Sequence, residues 1–576
     1  MENSMSGTKP GNLHHQSKRT GSFYTPEYLT RLITEDAMTA WLSQVSGKHE
    51  EALESLRRIS VLDPASGDGA FLLSAAEWLL ETRLTLGDSL SIPVIRQDIV
   101  ENCIFGVDVV DTAAEECRSN LVNWAAGQDT SRSIRTNVVV GNSLIGETWN
   151  TSALSDEGGI SSQFSWMAKF PGQMKKVNPG FDVILGNPPY GNILSQAERN
   201  YIRSQYPFDV FSGRKGTWNI ASQFIVRCQS LIRKGGQVAL LIPNSILRVG
   251  QFSRTREFLL NNWRLWQIAD EGNPFDDVTL EMVTVFACAK TPTYDQKVNI
   301  ISRRPDVHSP ESLRRTKLAQ GRFFVLYQDA IFNMIRERGS PNILGASRGR
   351  DIPHDHVKKE SSQTFTVPYA TKGRSINRYR FCDDHLRFAD DWFKSDDGLF
   401  DSYSNEFLVA TKNLPYPRAV MKPKGVIHGG GAVRIWINNE DVSKEAIGLI
   451  LNSRLVRYYC TRYLTNESRL TTCLNTGIVD EIPILTPEEP NLFSKLFSYL
   501  QTLYQTGCQS KKKVTNLESL ADALVYDLYL GETVLHQLLE KTDLEAEEFD
   551  SDVSESIQHV MSLPIVQTIE SYPRLQ

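Results

Sequence analysis

Cysteine is sparse in this chain: eight residues in 576, scattered singly at 103, 117, 228, 288, 382, 460, 473 and 508. No CxxC pair occurs and no histidines stand near them at zinc spacing, which argues against a disulfide scaffold and a structural zinc site. No run approaches the roughly 20 apolar residues of a membrane span. The longest apolar pieces, such as 238–243, have strand length. Residues 1–18 are polar and lack the apolar stretch of a signal peptide, so a soluble cytoplasmic protein is expected, with no membrane partner. With 40% hydrophobic and 9% aromatic residues the chain is neither disordered nor low in complexity. At roughly 100–200 residues per domain it is too long for one core.

Neither sign of charge dominates, and the formal net charge is -6. Its distribution is uneven. Residues 1–290 hold 27 Lys and Arg against 31 Asp and Glu, residues 291–480 hold 29 against 21, and residues 491–576 hold 6 against 13. A basic middle section is where electrostatics would place a nucleic acid, although a solvated surface accounts for the same counts.

Strand-like and helix-like segments alternate over the first two-thirds of the chain, the pattern of a parallel sheet flanked by helices. Strands are predicted at 59–63, 104–109, 137–140, 181–185, 237–242, 265–269 and 282–289, and helices at 28–44, 70–81, 112–126, 219–233 and 254–262. The last two strands, separated only by a loop, predict an antiparallel hairpin at the sheet edge. The stretch 151–179, rich in Ser and Gly, reads as a surface insertion, and 195–217 as a mobile loop. After Lys290 short β-like, aromatic and basic pieces take over, predicting domains at 19–290, 291–485 and a helical acidic region at 486–576, behind a flexible 1–18. In the last part helices are expected at 445–463, 491–500 and 517–530, the latter two separated by Lys511, Lys512 and Lys513.

The chemistry concentrates in a few short motifs. Val61-Leu-Asp-Pro-Ala-Ser-Gly-Asp-Gly-Ala-Phe71 puts a small-residue turn between a strand and a helix, where Gly67 and Gly69 let backbone approach a ligand. A second strand ends in Gly106-Val-Asp108, and an acid at that place can accept hydrogen bonds from both ribose hydroxyls. The GK[ST] ending of a phosphate loop is missing, as is the full GxGxxG, so a nucleoside without phosphates is the better candidate. The strongest signal is Phe181-Asp-Val-Ile-Leu-Gly-Asn-Pro-Pro-Tyr190, a buried strand running into Asn187, Pro188, Pro189 and Tyr190 at its carboxyl end. Two prolines supply no N–H donors, Asn187 adds an amide oxygen and Tyr190 a flat face. Together they could accept both hydrogens of a planar exocyclic amine and stack on its ring.

The order of Gly21-Ser-Phe-Tyr-Thr-Pro26, Asp63 to Gly69, Gly106-Val-Asp108 and Asn187 to Tyr190 resembles the gamma class of DNA adenine-N6 methyltransferases of restriction–modification systems. The resemblance covers residues 19 to about 290 well, and 447–483 and 520–541 more loosely. It implies an S-adenosylmethionine-dependent α/β methyltransferase fold, a doubly wound mostly parallel sheet with an antiparallel edge hairpin, followed by a C-terminal α+β target-recognition domain. By position, Phe23, Thr25 and Pro26 would lie against the methionine end of S-adenosylmethionine. Asp63, Pro64, Ala65, Gly67, Gly69 and Phe71 would form the floor of its pocket, and Asp108 would hold the ribose. Asn142, in Gly141-Asn-Ser-Leu144, stands where many relatives have an Asp contacting the cofactor adenine. Phe275, in Asn273-Pro-Phe275, matches the second aromatic packing against an extruded base, and it reads equally as an edge-strand core residue. Asn187 to Tyr190 would be the catalytic group, requiring no metal.

A cytosine-C5 mechanism needs a nucleophilic cysteine, commonly after proline, and no Pro-Cys pair occurs. Residues 301–380 hold 16 basic against 7 acidic side chains, with Arg374, Arg378 and Arg380 interleaved with Tyr379 and Phe381; these arginines are candidates for contact with double-stranded DNA. The expected partners are duplex DNA and a separate cognate restriction endonuclease. A bifunctional restriction–methylation enzyme remains an alternative, although only about 18 residues precede the first motif and Pro305-Asp306 has no ExK at suitable spacing. A protein or RNA amino-group methyltransferase is a third reading.

Overall fold

The computed structural model describes residues 25–575 apart from short stretches, the longest being 146–163, 207–218, 390–396 and 536–543. The chain divides into two units, Met1–Phe324 and Val325–Gln576.

The first unit is built on a nine-stranded sheet of β1 (Val61–Asp63), β2 (Ile104–Asp108), β3 (Asn137–Val140), β4 (Phe181–Gly186), β5 (Ile232–Pro243), β6 (Arg264–Gly272), β7 (Met282–Cys288), β8 (Lys297–Ser302) and β9 (Leu313–Arg314). Their order is β3-β2-β1-β4-β5-β7-β6-β8-β9. The first five neighbours run parallel, and β7 lies antiparallel to both β5 and β6. All six residues of β4 and all seven of β7 are buried, as continuous apolar runs covered on both faces should be. The helices that matter for the site are α1 (Glu27–Leu42), α2 (Ala70–Thr85), α3 (Asp111–Ala126), α4 (Gln196–Gln205), α5 (Ile220–Leu231) and α6 (Ser253–Asn262). Helical spacing puts Leu29, Ile33, Ala37 and Trp41 of α1 on one buried face, and they join Val61, Val183, Leu185 and Leu241 of the sheet in a single core.

The hairpin forms as expected from 265–269 and 282–289, but it is not the edge. β8 adds to β6 in parallel register, Gln267 opposite Asn299 through Asp270 opposite Ser302, and β9 follows. The cut expected near 291 therefore falls inside the sheet, and the unit continues to Phe324. The reason is electrostatic as well as apolar. Arg303 reaches Asp36 at 2.7 Å and Glu271 at 2.8 Å, and Arg304 reaches Asp270 at 3.2 Å and Glu281 at 3.1 Å. Two cations counted toward a separate basic section instead neutralise buried acids of the sheet.

Two further expectations change. The stretch read as the surface insertion 151–179 is described from Phe164 onward, and there Phe164, Trp166, Phe170 and Met174 are buried. Trp166, Phe170 and Phe181 pack ring against ring, so this segment is core despite its polar lead-in. The loop expected at 195–217 begins with α4, started by a capping box in which Ser195 and Glu198 each accept from the other's backbone N–H; residues 207–218 lie outside the described ones.

In the second unit, strands Leu344–Arg348, Phe407–Thr411, Ala419–Lys422 and Ala432–Ile437 form a four-stranded sheet, and a smaller sheet includes Phe365–Ala370. The helix expected at 445–463 is broken into α7 (Lys444–Leu451) and α8 (Arg454–Tyr459). Asn452 turns its amide to the Ala419 backbone, donating at 2.9 Å and accepting at 2.7 Å, and Ser453 caps α8. Lys511, Lys512 and Lys513 do not separate helices; they are the first turn of α10 (Lys511–Leu530), which follows α9 (Pro490–Thr506) and is capped by Ser510. Among the described residues no helix is long and apolar enough to cross a membrane.

Candidate functional site

The carboxyl ends of β1, β2, β3 and β4 lie side by side, and every motif singled out in the first unit except the one at 273–275 either emerges there or abuts it. After β1 the chain turns sharply. The Asp63 Oδ1 accepts from the Ala65 N–H at 2.9 Å, the Ser66 N–H donates to the Val107 carbonyl at 3.0 Å, and the Gly67 N–H donates to Asp108 Oδ2 at 2.9 Å. Asp108 Oδ1 accepts from the Val110 N–H at 2.8 Å, so one carboxylate ties the β1 turn to the β2 turn. Gly69 begins α2 at φ +92°, and a Cβ there would stand 2.7 Å from Cys117 Sγ on α3. Gly67, at φ +55°, faces open space: a Cβ would meet nothing within 4 Å. The result is a bare backbone cradle next to an acid, with Phe71 buried beneath it.

Burial raises the carboxyls of Asp63, Asp68 and Asp108, Asp63 most of all, to about 8, with Asp108 and Asp68 adding to the effect. Unfolded, Asp63 ionises near its ordinary value; folded, it holds its proton to about pH 8. The folded state thus binds more protons between those limits, and its stability falls as pH rises through them. Asp63→Asn, which keeps the acceptor for Ala65, is expected to flatten this decline. Melting temperatures of both proteins from pH 5 to 9 measure it, and parallel curves would refute it.

β4 passes so close to Asp63 that a Cβ on Gly186 would lie 2.7 Å from Asp63 Oδ1. Immediately after it, Asn187 Nδ2 donates to Thr25 Oγ1 at 3.1 Å, across 162 positions of sequence. Pro26 then caps α1. The N-terminal motif and the strongest signal in the chain are thus joined by one hydrogen bond; Phe23 lies outside the described residues. Tyr190 is half-buried and packs against the same core that contains Phe275, Met282 and Phe286. Phe275 itself is buried at the end of β6. Beyond Tyr190, the Gly191 N–H donates to Asn219 Oδ1 at 3.3 Å, which pins the segment to the start of α5.

Asn142 departs from its expected use. Its Oδ1 accepts from the Leu144 N–H at 3.0 Å and its Nδ2 donates to Glu198 Oε1 at 3.2 Å. Asn142 thus brings the Glu198 side chain, on α4, to this position. Behind it, Ser143 is locked on both sides: its hydroxyl donates to the Pro64 carbonyl, and its own carbonyl accepts from buried Arg227 Nε at 2.7 Å. Sequence reading missed Ser143, Glu198, Asn219 and Arg227. Of these Glu198 and Asn219 had local signals, the Ser-x-x-Glu capping pattern and an Asn at the N-cap of α5; Ser143 and Arg227 act through contacts distant in sequence.

In the second unit, Arg374 lies outside the described residues. Strands Ile376–Asn377 and Arg380–Phe381 pair as a hairpin whose Tyr379, at φ +57°, is buried against Phe497 and Tyr504. Tyr379 thus serves the core and offers no face to a base. Arg378 donates to Glu518 at 3.0 Å, and Arg380 is exposed.

Residues 102–275 match the family described as Eco57I restriction-modification methylase. The matched span includes Asp108, Asn142 and Asn187 to Tyr190 and ends on Phe275. The chain is 35% identical over 416 residues to RM.MjaORFECS2P of Methanocaldococcus jannaschii, whose name pairs a type II restriction enzyme with a methyltransferase; the match covers 64% of this chain and 33% of that protein. It is 36% identical over 95 residues to the type II methyltransferase M.TthHB8I of Thermus thermophilus, covering 15% of this chain and 21% of that one. The chain thus spans a third or less of the length of these two relatives. Its fold is also that of the type IIL restriction-modification enzyme MmeI in complex with DNA, with a TM-score of 0.57 at 14% identity over 95% of this chain and 80% of that one.

Proposed function

We propose that this protein is a site-specific DNA methyltransferase acting on the N6 amine of an adenine turned out of the duplex. The observation that carries this reading is Asn187-Pro-Pro-Tyr190 at the carboxyl end of β4, held by Thr25 beside the Asp63–Asp108 cradle. The open backbone at Gly67 and the half-buried acid of Asp108 fit a nucleoside, so Thr25, Pro26, Asp63 to Phe71 and Asp108 would hold S-adenosylmethionine, with Glu198 taking the acceptor role expected of Asn142. Bound there, S-adenosylmethionine supplies a methyl group activated by a sulfonium. The chain's own task is to make an aromatic amine nucleophilic, since its lone pair is delocalised into the ring. The Asn187 amide oxygen and the Pro188 carbonyl accept from the two N–H groups and draw the lone pair out of conjugation. Tyr190 stacks on the extruded base and recovers part of an unstacking cost of a few kcal/mol. Phe275, buried in the same core, supports Tyr190 from behind.

Incubation with methyl-labelled S-adenosylmethionine and duplex DNA, followed by digestion to nucleosides, is expected to yield N6-methyladenine. Label appearing only in protein or RNA would overturn the reading. Because relatives bear names that pair restriction with methylation, the same duplex is also incubated with magnesium. Intact DNA supports a methyltransferase served by a separate endonuclease, and cleavage supports the bifunctional alternative.

A further inference from the structure

A cavity of about 350 Å³ opens in the second unit, between the 376–381 hairpin, the Tyr416-Pro-Arg418 turn, the α7–α8 junction and helices α9 and α10. Five arginines line it: Arg378, Arg380, Arg418, Arg454 and Arg457. Two are paired with carboxylates, and one of these, Glu518, itself lines the cavity. Arg378 pairs with Glu518 at 3.0 Å and lies 3.8 Å from Asp522, and Arg454 pairs with Glu570 and lies 3.8 Å from Asp522. The other three have no carboxylate partner among the described residues. Arg418 donates to Asn377 Oδ1 at 3.1 Å, Arg457 to the Arg574 carbonyl at 2.6 Å, and Arg380 to Cys382 Sγ at 3.1 Å.

The Arg418 and Arg457 guanidinium groups, with no carboxylate partner among the described residues, repel one another across the cavity. Burial together with Arg418, Arg454 and Arg378 holds the Arg457 guanidinium below its ordinary value, against the opposing pull of Tyr416. Two buried donors, Nε of Arg378 and Nε of Arg457, find no acceptor among the described residues. Unmatched buried N–H groups are costly, and an oxyanion is the group that satisfies several of them while cancelling the repulsion. The wall is not wholly polar. Arg457 stacks 4.9 Å from the Tyr416 ring centroid, and Pro417 adjoins it, giving a sugar a surface to lie against.

We propose that this cavity seats a phosphate of the DNA backbone, with Arg418 and Arg457 as its principal donors. The assignment rests on the DNA reading above and is tested separately from it. Binding of a fluorescent duplex to the full chain is followed by anisotropy across a series of potassium chloride concentrations. Arg418→Gln is expected to weaken binding by about 3- to 10-fold and to lower the slope of log K against log salt by about one, the loss of one phosphate contact. Arg457→Lys, which keeps the charge but not the planar fork, is expected to weaken binding while largely keeping the slope. Arg348→Gln, a half-exposed arginine outside the cavity paired with Asp351, should change neither. Melting temperatures confirm that each variant is folded. If the wild type binds DNA with a steep salt slope and Arg418→Gln matches it, the cavity assignment falls and the DNA reading stands. If the wild type fails to bind DNA yet inorganic phosphate raises its melting temperature, and Arg418→Gln abolishes that rise, the occupant is a free anion and the backbone assignment is overturned. Failure of the wild type to bind either one overturns both.

Discussion

Asn187→Ala is expected to lower methyl transfer by about a thousand-fold or more while leaving S-adenosylmethionine affinity within about three-fold. Removing one preorganised hydrogen-bonding group from an oxyanion hole costs about 10²–10³ in rate, and here the amide oxygen is asked to polarise the nucleophile itself. The contact to Thr25 permits a sharper test. Asn187 Nδ2 is held by Thr25 Oγ1, so Thr25→Val, which removes that anchor but not the amide, should reduce kcat by about ten-fold, apart from any loss of cofactor affinity through Thr25's own contact with S-adenosylmethionine. Single-turnover rates on an adenine-containing duplex, with calorimetric titration of the cofactor, separate the two effects. Equal loss of rate and cofactor affinity in Asn187→Ala would make the residue a structural prop of the β4 turn.

Asp108→Ala is expected to raise the dissociation constant for S-adenosylmethionine by about a hundred-fold or more. Two hydrogen bonds to a charged acceptor contribute about 1.5–3 kcal/mol each. The same carboxylate also holds the Gly67 and Val110 N–H groups, so its removal unties the β1 turn from the β2 turn as well. Asp108→Asn retains one acceptor oxygen and should fall between the wild type and Asp108→Ala. Titration calorimetry measures the affinities, and melting temperature reports the cost to the turn. A normal affinity in Asp108→Ala would remove the ribose role.

The parallel sheet and its motifs were legible because the signals are local. An apolar run of strand length ending in Asn187-Pro-Pro-Tyr190 fixes both β4 and the direction from which its loop emerges. The glycines of the β1 turn mark bare backbone: both have positive φ, a Cβ on Gly69 would stand 2.7 Å from Cys117 Sγ, and Gly67 faces open space. What escaped notice depends on partners far apart in sequence. Ser143 is placed by Pro64 and Arg227, and Asn219 by Gly191, and none of these residues announces its partner. Phe164 to Met174 was misjudged because its polar lead-in outweighed four apolar residues whose common destination is three-dimensional. Charge counting misled at Arg303, Arg304 and Arg378 for a related reason: composition registers a guanidinium but not the carboxylate that has already claimed it.

The paired arginines that follow β8 also set where this protein can be divided. A fragment ending at 291 would strand Asp270, Glu271 and Glu281 as buried acids without their cations and expose β6 as a raw edge. A fragment carried through Phe324 keeps both. Chimeras that exchange the second unit should therefore be spliced after residue 324, beyond the arginines that neutralise the acids of the first unit's sheet.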